Sequence, residues 1–220
     1  RDWSSDVCSS DLFVIYLPAY LSEYMWSDEY GYRYGIQELR NDLISNLRPI
    51  YALFTFPEEQ VLQRLNSYSF IRFIAVLGLV FLLYEIYLVF RDSLKGKSII
   101  MAIVLALSSY PYQNMVYFAM CAPYSWAAYL SLLAIRKLKK KCGMKSKLIY
   151  FAPLISAFSI YPLAAMLPIG IYYLKLFITG SSRGKLFRSL LGIFSILVAG
   201  ALTSYLLSVT LAHIVDKPIA

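Results

Sequence analysis

Tyr68–Phe90 reads YSFIRFIAVLGLVFLLYEIYLVF. It is an unbroken apolar run of full bilayer length, with Arg72 near one end, Arg91 just past the other and Glu85 inside it. A helix of about 20 apolar residues crosses a hydrocarbon core, so this stretch predicts a transmembrane helix over 68–90. The composition agrees. The chain has 220 residues, 59% hydrophobic and 15% charged, with a mean hydropathy of +0.58, values outside the soluble globular range. The expected fold is an all-α, polytopic transmembrane helical bundle of about six or seven helices, the first one truncated. Glu85 is close enough to Arg91 to be solvated at the boundary, although a carboxyl inside a span marks function by default.

Downstream, further apolar runs predict spans over 98–109, 115–135 and 186–211. Residues 148–178 are too long for one span and short for two. Two short helices over 148–161 and 163–178, bent at Tyr161-Pro162 or at Pro168, fit them. Gly192 and Gly200 suit close helix packing in the last span. Between the runs lie basic connections at 91–97, 136–147 and 179–188; the second, RKLKKKCGMKSK, has no acid. The positive-inside rule places these in the cytoplasm, and contact of 136–147 with anionic lipid heads is expected from its charge. The +8 net charge therefore reads as topology, and no nucleic-acid partner is expected. Cys8, Cys121 and Cys142 have neither metal spacing nor a disulfide pattern, and His213 reads as an interfacial residue.

Upstream, residues 23–67 then fall outside. They contain the polar interval Trp26–Pro49, WSDEYGYRYGIQELRNDLISNLRP. Ile36, Leu39, Leu43, Ile44 and Leu47 share one helical face, which predicts an interfacial amphipathic helix; Pro49 disfavours helix at Arg48. A solvated loop with a surface helix is the plain alternative. The turn at Gln113 and Asn114 and the bend at Tyr161 fall on the same outer side. Phe13–Ser22, FVIYLPAYLS, reads as the outer half of a truncated first span. Arg1–Leu12 resembles a translated sequencing adapter, since DVCSSDL is what GAC GTG TGC TCT TCC GAT CT encodes. It is set aside from fold reasoning, and residues 13–220 are expected to be one transmembrane domain, a fragment of a longer protein.

An acid pair beside arginines at a lipid boundary suits glycosyl transfer. A carboxylate accepts a proton from an attacking sugar hydroxyl, and arginine holds a phosphate leaving group. Asp28 and Glu29 could instead hold a divalent metal. Tyrosines such as Tyr30 could stack on sugar rings. An activated donor outside the membrane would need to be lipid-linked.

The residues SDEYGYRYG and NLRPIYAL, with Asp28, Glu29, Arg33, Gly35, Arg48 and Pro49, resemble the Gtr-type, O-antigen-modifying membrane glucosyltransferase domain family, which has a GT-C-like architecture. YPYQNMVYF, with Pro111, Tyr112, Asn114 and Tyr117, and SIYPLAA, centred on Tyr161, extend the resemblance over most of Phe13–Ala220. The chain departs from the family pattern at Glu29, at Asn46-Leu47 and at Pro162. The resemblance implies transfer of a glucosyl residue from a polyprenyl-phosphate donor to a glycan acceptor such as O-antigen, on the periplasmic side of the bacterial inner membrane. On that basis Asp28 is the expected base and Glu29 its partner or a metal ligand. Arg33 and Arg48 are the expected phosphate or loop-ordering groups. Tyr30, Gln113, Asn114, Tyr117 and Tyr161 are the expected substrate-binding residues. The alternatives are another membrane glycan enzyme, polymerase-like, and a transporter or flippase, against which the lack of an internal repeat argues.

Overall fold

The computed structural model describes residues 43, 48–53, 55, 69–94, 122–139 and 144–214. Most of them are helical, with no strand among them. Six helices follow in chain order: α1 (Ser69–Phe90), α2 (Ala122–Leu138), α3 (Met144–Ile160), α4 (Pro162–Ala165), α5 (Leu167–Ile178) and α6 (Arg183–Ile214). Residues 49–53 form a further helical turn. Two helical stretches are long and apolar enough to cross a membrane, Phe70–Phe90 and Arg183–Leu211, with mean hydropathies of 2.5 and 2.1. α2 and α3 have 17 residues each, about 25 Å of helix against a hydrocarbon core of about 30 Å. The expected spans over 13–22 and 98–109 lie outside the described residues, as does most of the amphipathic helix. Of that helix, Leu43 is helical and buried against Tyr51, Ala52 and Tyr124.

α2 is the central element, packing against α1, α3, α4 and α5. Its contact face is made of small residues, with Ala127, Ala128, Ser131 and Ala134 buried, so neighbouring backbones come close. α1 and α2 run parallel. Ser125 Oγ donates to the Ala75 carbonyl at 3.1 Å, Trp126 Nε1 donates to the Ile74 carbonyl at 3.1 Å, and further along Glu85 meets Arg136. α3 returns antiparallel to α2, since Tyr124 meets Tyr161 at one end and Lys137 meets Tyr150 at the other. α6 runs parallel to α3, joined by the buried Ser159–Ser204 hydroxyl pair at 2.6 Å.

The α3–α5 segment breaks twice. Tyr161 is extended (φ −152°, ψ 103°) and precedes Pro162, which opens α4. Met166 then separates α4 from α5, whose first turn carries Pro168. A residue before proline is pushed out of the α region, and proline is tolerated in a helix's first turn, so both anticipated bend positions are used. Lys175, near the end of α5, donates to the Val89 carbonyl at 2.6 Å. That carbonyl belongs to the last turn of α1, where helix carbonyls lack intrahelical partners and a cation is favoured. α3 and α5 therefore form an out-and-back pair. α5 closes on Gly180, whose positive φ of 62° accompanies bonds from Gly180 N–H to the Phe177 carbonyl and from Ser181 N–H to the Leu176 carbonyl, the Schellman arrangement.

The bundle thus has two distinct ends. Phe90, Leu138, Met144, Ile178 and Arg183 mark one, called the basic end below; Ser69, Ala122 and Tyr161 mark the other. Of the described lysines and arginines, all but Arg48 and Arg72 lie at the basic end.

Glycine placement refines the packing expected from sequence. Gly200 does sit at a close approach, since a Cβ there would meet Leu154 Cδ2 at 2.7 Å. Gly192 does not, because among the described residues nothing lies within 4 Å of its Cβ position. The tightest contact is at Gly78, where a Cβ would meet Ser125 Oγ at 2.3 Å and the Trp126 ring at 3.0 Å. Neither neighbour yields without losing its bond to α1. Gly78→Ala is therefore expected to lower stability by about 1–2 kcal/mol, overpacking outweighing the helix-propensity gain, and adding Ser125→Ala is expected to recover most of the loss. Thermal unfolding in detergent measures both; a Gly78→Ala chain as stable as the parent would contradict the close crossing.

Candidate functional site

At the end away from most cations, a short ladder of side chains joins three separate parts of the chain. Arg48 precedes Pro49 and stands just before the helical turn 49–53. Its N–H donates to the Leu43 carbonyl at 2.7 Å and its carbonyl accepts from Ala52 N–H at 3.0 Å. The backbone on both sides of Arg48 is thus tied down. Its guanidinium lies over the Tyr161 ring, 5.2 Å from the centroid. Tyr161 stacks on Tyr124 with centroids 4.0 Å apart and planes 13° off parallel. Tyr124 in turn meets Tyr51 edge-on at 5.9 Å and 77°.

Each ring is placed by backbone chemistry. Tyr161 belongs to both helices at the break: its N–H donates to the Ala157 carbonyl at 3.0 Å and its carbonyl accepts from Ala165 N–H at 3.1 Å. Tyr124 follows Pro123 in the first turn of α2. A stacked aromatic pair contributes about 0.5–1.5 kcal/mol beyond its burial, and a partly desolvated cation–π contact about 0.5–2 kcal/mol. Arg72, in the first turn of α1, is 1% exposed, adding a buried guanidinium at this end of the bundle.

A guanidinium held over a ring by a cation–π contact still has N–H groups to donate elsewhere. Among the described residues the Arg48 edge has no partner. Such an edge matches a phosphate bidentately.

The structure brings together two residues singled out from sequence, Arg48 and Tyr161. Asp28, Glu29, Tyr30, Arg33, Gln113, Asn114 and Tyr117 lie outside the described residues, as does the divalent metal site considered for Asp28 and Glu29. Sequence inspection missed Tyr124, Tyr51 and the burial of Arg72. The usable signal was adjacency to proline: Pro123-Tyr124 mirrors Tyr161-Pro162, and both mark helix ends, where tyrosines gather at membrane boundaries.

The basic end holds a different cluster. Glu85 is 3% exposed and accepts both Nε and Nη2 of Arg136, the latter at 2.7 Å. This corrects the expectation of a solvated Glu85: α2 lays the Arg136 guanidinium against it. Lys139 sits one turn further on, its ammonium 4.3 Å from the centroid of the Tyr172 ring and bonded to Ser189 Oγ at 3.1 Å. Partial burial of that ammonium, and then the nearby charge of Lys175, push its pKa below the ordinary lysine value.

Comparison with known protein families gave no match. No curated protein and no solved structure matched either.

Breaking a buried pair on one side leaves an uncompensated charge, costing about 3–5 kcal/mol, whereas replacing both partners by apolar residues is often neutral. Glu85→Ala is therefore expected to destabilise strongly, while Glu85→Leu with Arg136→Met stays near the parent. Equal loss in both, measured by thermal unfolding in detergent, would show that the pair's shape rather than its charge balance matters.

Proposed function

We propose that the chain is an integral-membrane glycosyltransferase that moves a glucosyl or related sugar from a polyprenyl-phosphate donor to O-antigen or another surface glycan, acting at the periplasmic face of a bacterial inner membrane. The observation that carries this is the Arg48–Tyr161–Tyr124 ladder at the bundle end opposite the described lysines. A guanidinium suited to phosphate and a stacked tyrosine pair meet there, on the side that the positive-inside rule assigns to the exterior.

Several features support a multi-pass membrane setting. Phe90 and Ala122 lie at opposite ends of the bundle because α1 and α2 are parallel, which is what a crossing at 98–109 would require. Along α6, Ser195, Thr203 and Thr210 donate to the carbonyls of Leu191, Ala199 and Leu206 at 2.9, 2.8 and 2.8 Å. In hydrocarbon every polar group needs such an internal partner. The exposed residues between them are largely apolar, including Phe194, Leu202, Tyr205 and Leu206.

In this mechanism Asp28 takes the proton from an acceptor hydroxyl as its oxygen attacks the anomeric carbon. The bond from that carbon to the phosphate oxygen breaks, and the polyprenyl phosphate leaves with the electron pair. Arg48 and Arg33 hold the phosphate as its charge grows. Glu29 supports Asp28; alternatively the two would hold a divalent cation, which would supply charge neutralisation at the phosphate. Tyr30, Gln113, Asn114, Tyr117 and Tyr161 bind the substrates in this reading. A transporter or flippase is the second reading, favoured by the ionisable Glu85–Arg136 pair inside the helices.

Transfer from polyprenyl-phosphate glucose, followed in membranes carrying the full-length protein, tests the assignment. Loss of a general base costs about 10²–10⁴-fold, so Asp28→Asn is expected to abolish detectable glycan modification. Arg48→Lys, which keeps the charge but not the fork, is expected to slow transfer, and Tyr161→Phe is expected to retain it better than Tyr161→Ala. Unchanged modification by Asp28→Asn would remove the base assignment.

A further inference from the structure

One face of α6 is covered by no described element. Lys185, Arg188, Gly192, Ser195, Ala199 and Thr203 follow one another at helical spacings of three or four, so they form a single stripe, and all are exposed. Its lower part opens on a hollow of about 620 Å³ lined by Ser182, Gly184, Lys185, Arg188 and Ser189. Lys139 reaches the rim of this hollow from α2 through its bond to Ser189. Two cations of α6, Lys185 and Arg188, therefore line one space.

Among the described residues no acid balances that positive charge. Among the described residues no carboxylate pairs with Lys185 or Arg188: Glu85 is taken by Arg136, and Asp92 lies beside Arg91. The first turn of α6 contains no acid, although a helix start carries partial positive charge and favours anions. Cations gathered at a helix start add to that partial charge, and an anion from outside relieves both.

Above the hollow the stripe changes character. Gly192 leaves open space where a side chain would stand. The hydroxyls of Ser195 and Thr203 are turned back onto their own helix, so this furrow offers no free donor. Leu191 and Leu202 stand exposed along one side of it. A basic, hydroxyl-lined hollow continued by a smooth apolar furrow has the outline of a lipid.

We propose that this face of α6 binds an anionic, phosphate-bearing lipid. Its head group occupies the hollow against Lys185, Arg188, Ser182 and Ser189, and one chain lies along Gly192, Ser195 and Ala199. The proposal rests on the membrane-spanning part of the proposed function and not on glycosyl transfer, so the test contains no sugar donor.

The full chain is purified in detergent with equal phosphatidylglycerol and phosphatidylcholine, and the retained lipid is read by mass spectrometry of the intact complex. Two cations at a head group favour the anionic lipid by about tenfold or more. The wild type is expected to show that preference, and inorganic phosphate is expected not to displace the lipid. Lys185→Gln with Arg188→Gln is expected to abolish the preference. Gly192→Leu points into open space and is expected to leave thermal unfolding unchanged while reducing lipid retention. An undiminished preference in the double variant, undiminished retention in Gly192→Leu, or complete displacement by inorganic phosphate would each overturn the proposal; the last would assign the hollow to free phosphate.

Discussion

The register of α1 against α2 governs the remaining architecture, and the buried Glu85–Arg136 pair sets it. Two parallel helices with small contact residues can slide by a turn at little apolar cost. A carboxylate and a guanidinium out of water cannot, because separation leaves each buried charge uncompensated. With Glu85 on Arg136, Gly78 falls opposite Ser125, and Trp126 reaches the Ile74 carbonyl. The same register brings Val89 within reach of Lys175, which fixes the descending α5. It also leaves Tyr124 at the far end, where Tyr161 stacks on it.

Consequences of that register reach both ends of the bundle. At the basic end, Lys139 and Lys175 are held near Tyr172 and α6. At the opposite end, Arg48 is separated from Tyr161 by 113 positions in sequence yet lies over its ring. The proposed chemistry requires such a separation of charge: cations hold one face toward anionic lipid, and a smaller set of arginines and tyrosines faces a phosphosugar at the other.

Local signals carried much of this. The run 68–90 contains no helix breaker apart from Gly78, and α1 spans Ser69–Phe90. Pro162 and Pro168 mark real breaks, because a missing N–H and a restricted preceding residue act locally. Pairings between distant segments were less legible. Arg136 reads as the first residue of a basic loop, and nothing near it in sequence points to Glu85. Gly192 and Gly200 are alike in composition and spacing, yet only Gly200 meets a neighbour, since the helix face that packs depends on where α3 lies. For the candidate site, Arg48 and Tyr161 were visible as a pre-proline pair on polar or broken segments. Tyr124 was not, because its role depends on the ring that α3 delivers to it.

In the proposed arrangement the two ends of the bundle face opposite sides of a membrane, with the Arg48–Tyr161 ladder outside. It is tested most directly by labelling single cysteines in intact cells with a membrane-impermeant maleimide, after replacing Cys8, Cys121 and Cys142 by serine. Leu163→Cys, exposed beside Tyr161, is predicted to label without permeabilisation. Ser182→Cys, at the basic end, is predicted to label only after the membrane is opened. Labelling of both positions from outside, or of Ser182→Cys alone, would contradict the account.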